Sequence, residues 1–140
     1  MKLCAVIDTN VLVSALLAKR ADSPTVVIVE KLLDSSVIPV FSRSILAEYS
    51  AVLHRTKFGF DPVTVDEFLR DLERRGILLE PEQTDIALPD MKDVPFYAVT
   101  LAREDDDTFL VTGNLKHFPV KPFIVTPSQF LAIVRKNESN

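Results

Sequence analysis

Apolar runs alternate with segments of helical period along the whole chain. Leu3 to Ile7 is apolar without alternation, the pattern of a strand buried on both faces. Val11 to Leu17 follows as a short helix, and Ser23-Pro24 reads as a cap with proline at the first helical position, opening a helix through Leu33. Val37 to Phe41 predicts a second strand. Ser42 or Ser44 caps a helix to about His54, with Ile45, Leu46, Tyr49, Val52 and Leu53 on one face. Asp61-Pro62 repeats the cap-and-proline signal and starts a helix to Arg75, stopped by Gly76 acting as a helix-ending glycine. Ile77 to Leu79 is a short third strand, and the polar, proline-punctuated stretch from Glu80 to Pro89 is a loop. A helix from about Pro95 to Arg103 leads into a fourth strand, Phe109 to Thr112. Phe123 to Val125 is the fifth, and Pro127-Ser128 opens a last helix to about Lys136.

Strands separated by helical segments imply right-handed crossovers and a parallel sheet covered on both faces. The fold expected from the pattern is a three-layer α/β sandwich of about five strands, in which sites form beyond the carboxyl ends of the strands. With 140 residues, no repeat and no long linker, residues 1–136 are expected to form a single domain and residues 137–140 a frayed tail.

Composition narrows the class. Hydrophobic residues at 47% and charged residues at 26% exclude a disordered chain. The longest apolar run falls far short of the ~20 residues of a membrane span. The single cysteine, Cys4, excludes an internal disulfide and is read as a small buried hydrophobe. The expectation is a cytoplasmic protein with no membrane partner. Twenty acidic against sixteen basic residues leave a net charge of -4. A nucleic-acid partner would then require a divalent cation or a local basic strip to offset its phosphates.

Four places carry candidate chemistry. Asp8 ends the first strand in Ile7-Asp8-Thr9-Asn10; it is either the cap of the next helix or a ligand for a hard cation such as Mg²⁺ or Mn²⁺. Glu48 borders the apolar face of its helix, and none of Ser44, Ile45, Ala51 and Val52 offers it a cation, so it is a solvated glutamate or part of a site. Asp93 precedes Pro95 and is either a cap or a metal-facing carboxylate, with Asp90 a turn residue or a support. Val111-Thr112-Gly113-Asn114 places a hydroxyl and an amide at another strand's carboxyl end, ahead of Lys116 and His117. The triplet Asp105-Asp106-Asp107 lacks the spacing of a calcium loop and reads as a solvated turn.

Taken in order, Asp8-Thr9-Asn10, Glu48, Asp93 and Val111-Thr112-Gly113-Asn114 resemble the PIN-domain family, over roughly Lys2 to Val134, and within it the toxins of prokaryotic toxin–antitoxin pairs. The resemblance implies a PIN-like α/β/α sandwich with parallel strand order 3-2-1-4-5, and metal-dependent hydrolysis of RNA phosphodiester bonds. It implies Asp8, Glu48 and Asp93 as catalytic and metal-binding residues for Mg²⁺ or Mn²⁺, supported by Asn10, Asp90, Thr112 and Asn114. Asn114 stands where the family usually has Asp, which removes one formal charge and favours a single metal ion. Arg43, Arg55, Lys57, Lys116, His117 and Lys121 are candidate RNA-backbone contacts. A small antitoxin and a second copy of the chain are the implied partners.

Two other readings stay open. A PIN-like module weakened at Asn114 would bind RNA or a partner without cutting. A Mg²⁺-dependent phosphotransfer domain with Asp8 as acceptor is disfavoured, because Asp8-Thr9-Asn10 lacks the second acid two positions on.

Overall fold

Five strands, Leu3–Ile7 (β1), Val37–Phe41 (β2), Ile77–Leu78 (β3), Thr108–Val111 (β4) and Ile124–Val125 (β5), pair in one sheet ordered β3-β2-β1-β4-β5. Every pairing is parallel, with Ala5 opposite Pro39 on one side and Phe109 on the other. The coordinates are a computed structural model describing residues 2–82, 85–104 and 107–139; Asp105 and Asp106 lie outside the described residues. Each residue of β1 is buried, as its uninterrupted apolar sequence requires of a central parallel strand.

Among the described residues six helices flank the sheet: Thr9–Leu17 (α1), Pro24–Leu33 (α2), Arg43–Leu53 (α3), Pro62–Arg75 (α4), Val94–Ala102 (α5) and Pro127–Glu138 (α6). The result is an α/β/α sandwich of PIN-like topology. Proline opens α2, α4 and α6 within the first turn, where its missing N–H costs nothing. Thr126 and Gln129 close a reciprocal capping box on α6. Ser42, not Ser44, caps α3, accepting from the Ile45 amide at 3.2 Å. The helix α6 continues two residues past Lys136, and Glu138 pairs with Lys31 of α2 at 3.0 Å.

The core is continuous across the sheet. Val6, Leu12, Ile45, Val99, Leu110 and Phe130 are fully enclosed, each side chain contributing roughly 1.5–3 kcal/mol on burial. Tyr49 of α3 meets Phe96 of α5 with ring centroids 6.3 Å apart, tying the helix that carries Glu48 to the one that follows Asp93.

Gly76 corrects the expectation drawn from its position. Its φ of -110° is ordinary extended backbone, not the left-handed conformation of a helix-ending glycine. Space is what demands it: a Cβ there would meet the Phe41 ring at 2.4 Å and the Pro39 carbonyl at 2.5 Å. The absent side chain lets α4 run directly into β3 against β2. Among the described residues there are also three short 3₁₀ turns, Thr56–Phe58, Met91–Asp93 and Leu115–His117. They are too short to leave a periodic trace in the sequence.

Candidate metal and nucleic-acid site

Past the carboxyl ends of β1 and β4 the ladder continues for one residue, the Asp8 amide donating to the Val111 carbonyl at 3.0 Å. That bond sets the Asp8 side chain beside Thr112. The Thr112 hydroxyl, itself buried, donates to Asp8 Oδ2 at 2.7 Å, and Oδ1 accepts the Asn10 amide at 3.4 Å. Asp8 is therefore both the cap of α1 and a partner of the neighbouring strand. The Asn114 amide donates to Thr112 Oγ1 at 3.0 Å, so the turn after β4 fixes the hydroxyl that fixes Asp8. Asn114 acts here through its backbone.

Glu48 reaches the same edge from α3. The Thr9 hydroxyl donates to its Oε2 across 39 positions of sequence. Directly below, the Tyr49 hydroxyl donates to the Ile7 carbonyl at 2.6 Å, pinning α3 to the end of β1. Burial, then the negative charges of Asp8 and Glu48, push the Tyr49 phenol far above its ordinary range, so it stays a donor.

Asp93 ends the 3₁₀ turn ahead of α5 and makes no capping bond. Asp90 caps the 3₁₀ turn itself, accepting the Lys92 amide at 2.9 Å while remaining exposed. Asp93 is buried, and burial raises its carboxyl above the usual range. The charge of Asp8 raises it further and Asp90 adds to this, while His117 pulls the other way. The His117 ring Nδ1 lies 3.2 Å from Asp93 Oδ2.

Asp8, Glu48, Asp93 and Thr112 are thus gathered at one edge of the sheet, with His117 beside Asp93. Asn10 is exposed at the start of α1. Of the basic candidates, Arg43, Arg55, Lys57, Lys116 and Lys121 are exposed and form no ion pair among the described residues. Each carboxylate has a separate tether, Thr112, Thr9 or His117. Among the described residues no group of three or more His, Cys, Asp and Glu side chains is assembled for a metal ion as placed. In kind the donors fit a hard divalent cation: carboxylate and hydroxyl oxygens dominate, and the repulsion felt at Asp93 is what a cation would relieve.

Sequence reasoning counted Tyr49 only as an apolar face and gave Thr9 no role toward Glu48. Both carried a signal. A buried tyrosine requires an acceptor for its hydroxyl, and a glutamate without an intrahelical partner requires one from elsewhere.

No helix among the described residues is long and apolar enough to cross a membrane. Comparison with curated proteins gives no match. A model of the PIN domain family matches residues 4–116, a span that holds Asp8, Glu48, Asp93, Thr112 and Asn114.

Proposed function

The chain belongs to the PIN domain family, whose fold is of nuclease type, and from that premise we propose that it is a Mg²⁺- or Mn²⁺-dependent ribonuclease, the toxin of a toxin–antitoxin pair. The observation that supports this reading most is the Thr112 hydroxyl on Asp8, with Asp93 close enough to feel the Asp8 charge.

In this reading Asp8 and Asp93 would hold the cation, and Glu48 would hold the attacking water. A bound divalent ion lowers the pKa of water and offsets charge building on the phosphate oxygens. Glu48 Oε1, the oxygen that Thr9 leaves free, takes the water proton. The water oxygen bonds to phosphorus in line with the 3′ oxygen, whose bond to phosphorus breaks and which takes a proton from solvent to leave as a hydroxyl. Thr112 keeps Asp8 from rotating, and His117 does the same for Asp93. Arg43 and Lys116, exposed at the starts of α3 and of the 115–117 turn, offer cations to the backbone. Asn10, Asp90 and Asn114 support the loops around the carboxylates.

Purified protein is expected to cleave single-stranded RNA only with Mn²⁺ or Mg²⁺. Asp8→Asn and Asp93→Asn should each lose about 10²-fold or more, with the circular dichroism spectrum unchanged. Equal cleavage by all three proteins overturns the proposal. Asn114 favours one alternative, a module that binds RNA without cutting; RNA binding with no cleavage in Mn²⁺ would establish it. A small antitoxin, a homodimer and a cytoplasmic setting belong to the same reading, checked by co-purification and by size-exclusion chromatography.

A further inference from the structure

After α3 the chain runs Arg55-Thr56-Lys57-Phe58-Gly59-Phe60 before α4 begins. Gly59 takes φ 68°, the left-handed conformation, with nothing within 4 Å of where a Cβ would stand. The turn needs glycine for its direction rather than for space. That direction brings the two flanking rings face to face: Phe58 and Phe60 stack with centroids 5.6 Å apart and planes 15° apart.

Two phenylalanines in a six-residue surface turn call for a reason. Neither ring belongs to the hydrophobic core or to the side chains packed against it. Phe60 is anchored, lining a groove of about 240 Å³ with Leu16 of α1 and Val65 and Phe68 of α4. Phe58 stands outside that lining. The Lys57 ammonium lies 5.1 Å from its ring centroid, a cation–π contact at an exposed lysine. Arg55 and Lys57 form no ion pair among the described residues. The acid closest in sequence, Asp61, is engaged as the α4 cap by the Thr64 amide and hydroxyl. In a chain of net charge -4, a turn with two unpaired cations around a pair of stacked rings departs from the average surface.

We propose that residues 55–60 form a stacking platform for single-stranded RNA, Phe58 taking a base on its ring while Arg55 and Lys57 hold the flanking phosphates. Every base has a π-face, and stacking between aromatic rings and bases within a basic groove is how sequence-tolerant single-strand binders work. The incoming base displaces the Lys57 ammonium, which is on a flexible stem and turns to phosphate. The turn is well placed. The α1 residue beside Phe60, Leu16, stands about 10 Å along the helix from Thr9, which holds Glu48. The platform rests on the ribonuclease reading and deepens it, giving the acidic edge a substrate-holding surface that carries no negative charge into the site.

The chain contains no tryptophan, so Phe58→Trp introduces a single fluorophore at the platform. Titrating this variant in EDTA with a twelve-nucleotide single-stranded RNA should quench its emission by half or more at saturation. Fluorescence anisotropy of the labelled RNA gives the second measurement. Phe58→Leu, which keeps an apolar side chain and loses the ring, should weaken binding at least tenfold, and Phe58→Tyr should restore it, with all melting temperatures alike. Unquenched emission, or equal affinity of Phe58→Leu and wild type, overturns the platform and leaves the turn as a packing feature or a protein contact. Because binding is read without metal, failure of the nuclease reading shows separately, as absence of Mn²⁺-dependent cleavage in protein that still binds RNA.

Discussion

The two edges of the sheet are built on opposite electrostatic plans. At the amino ends, two arginines among the described residues are matched to partners. Arg103 donates to Thr108 Oγ1 at 3.1 Å and to Cys4 Sγ at 3.7 Å, and Arg75 reaches Ser35 Oγ at 2.8 Å while pairing with Asp71. At the carboxyl ends Asp8, Glu48 and Asp93 share one region, and among the described residues the basic group bonded to it is the half-exposed His117, on Asp93. Cations at the first edge satisfy acceptors and steady the fold. Like charges at the second oppose it, and under the proposed function a bound cation would offset that opposition.

Lesions away from the acidic edge should therefore lower stability and spare the chemistry. Gly76→Ala is the largest expected case, because its methyl would overlap both the Phe41 ring and the Pro39 carbonyl. A loss of about 3 kcal/mol is expected, on the order of 10 °C in Tm, with metal-dependent RNA cleavage unchanged below the transition. An unaltered Tm would show that β2 and β3 can separate without penalty. Tyr49→Phe lies on the border between the two regions. It strips the buried Ile7 carbonyl of its donor, and thermal denaturation should register about 2 kcal/mol. Since that carbonyl precedes Asp8, this variant alone among the stability lesions should also slow cleavage. Arg103→Ala is expected to lose about 1 kcal/mol, and it should leave cleavage at the wild-type rate.

The parallel sheet is legible because β1 and β2 are apolar from end to end and helical segments intervene between strands, whereas the order β3-β2-β1-β4-β5 follows from the family resemblance and not from the pattern. Asp8, Glu48 and Asp93 were readable as candidates by type and position. Their tethers were not. The Thr112 hydroxyl bonds Asp8 across 104 positions, and His117 meets Asp93 across 24. Such pairings depend on loop geometry that neither period nor propensity encodes. Asp93 shows the limit well: it stands at the cap position of α5, as its place before Pro95 suggests, yet its side chain makes no capping bond and meets His117. Gly76 fails in the opposite sense, a residue correctly singled out for a conformational reason that does not apply, because the ring that excludes its Cβ lies on another strand.

The smallest effect tests the comparison most directly, since it predicts a gain. A carboxyl whose folded pKa is raised binds its proton more tightly in the folded state than in the unfolded one. Its ionisation therefore penalises folding, and stability contributed by the protonated form is lost as pH rises from the unfolded value through the raised one. For Asp93 the causes are burial first and Asp8 second, so the penalty should develop as pH rises past the ordinary aspartate range and persist above it. Asp93→Asn keeps an oxygen for His117 and removes the charge. Its Tm in EDTA should equal that of wild type at the acid end and exceed it by a few degrees near neutrality. Asp34 and Asp61, both held below their ordinary range by hydrogen bonds from Ser36 and Thr64, shift stability in the opposite direction. They are common to both proteins and cancel in the difference. Parallel Tm profiles would mean that the Asp8 and Asp93 charges do not oppose folding, and the contrast between the two edges would fail at its central residue. A difference that opens with pH and closes again when Mn²⁺ is added would identify the repulsion at this edge as the one a divalent cation relieves.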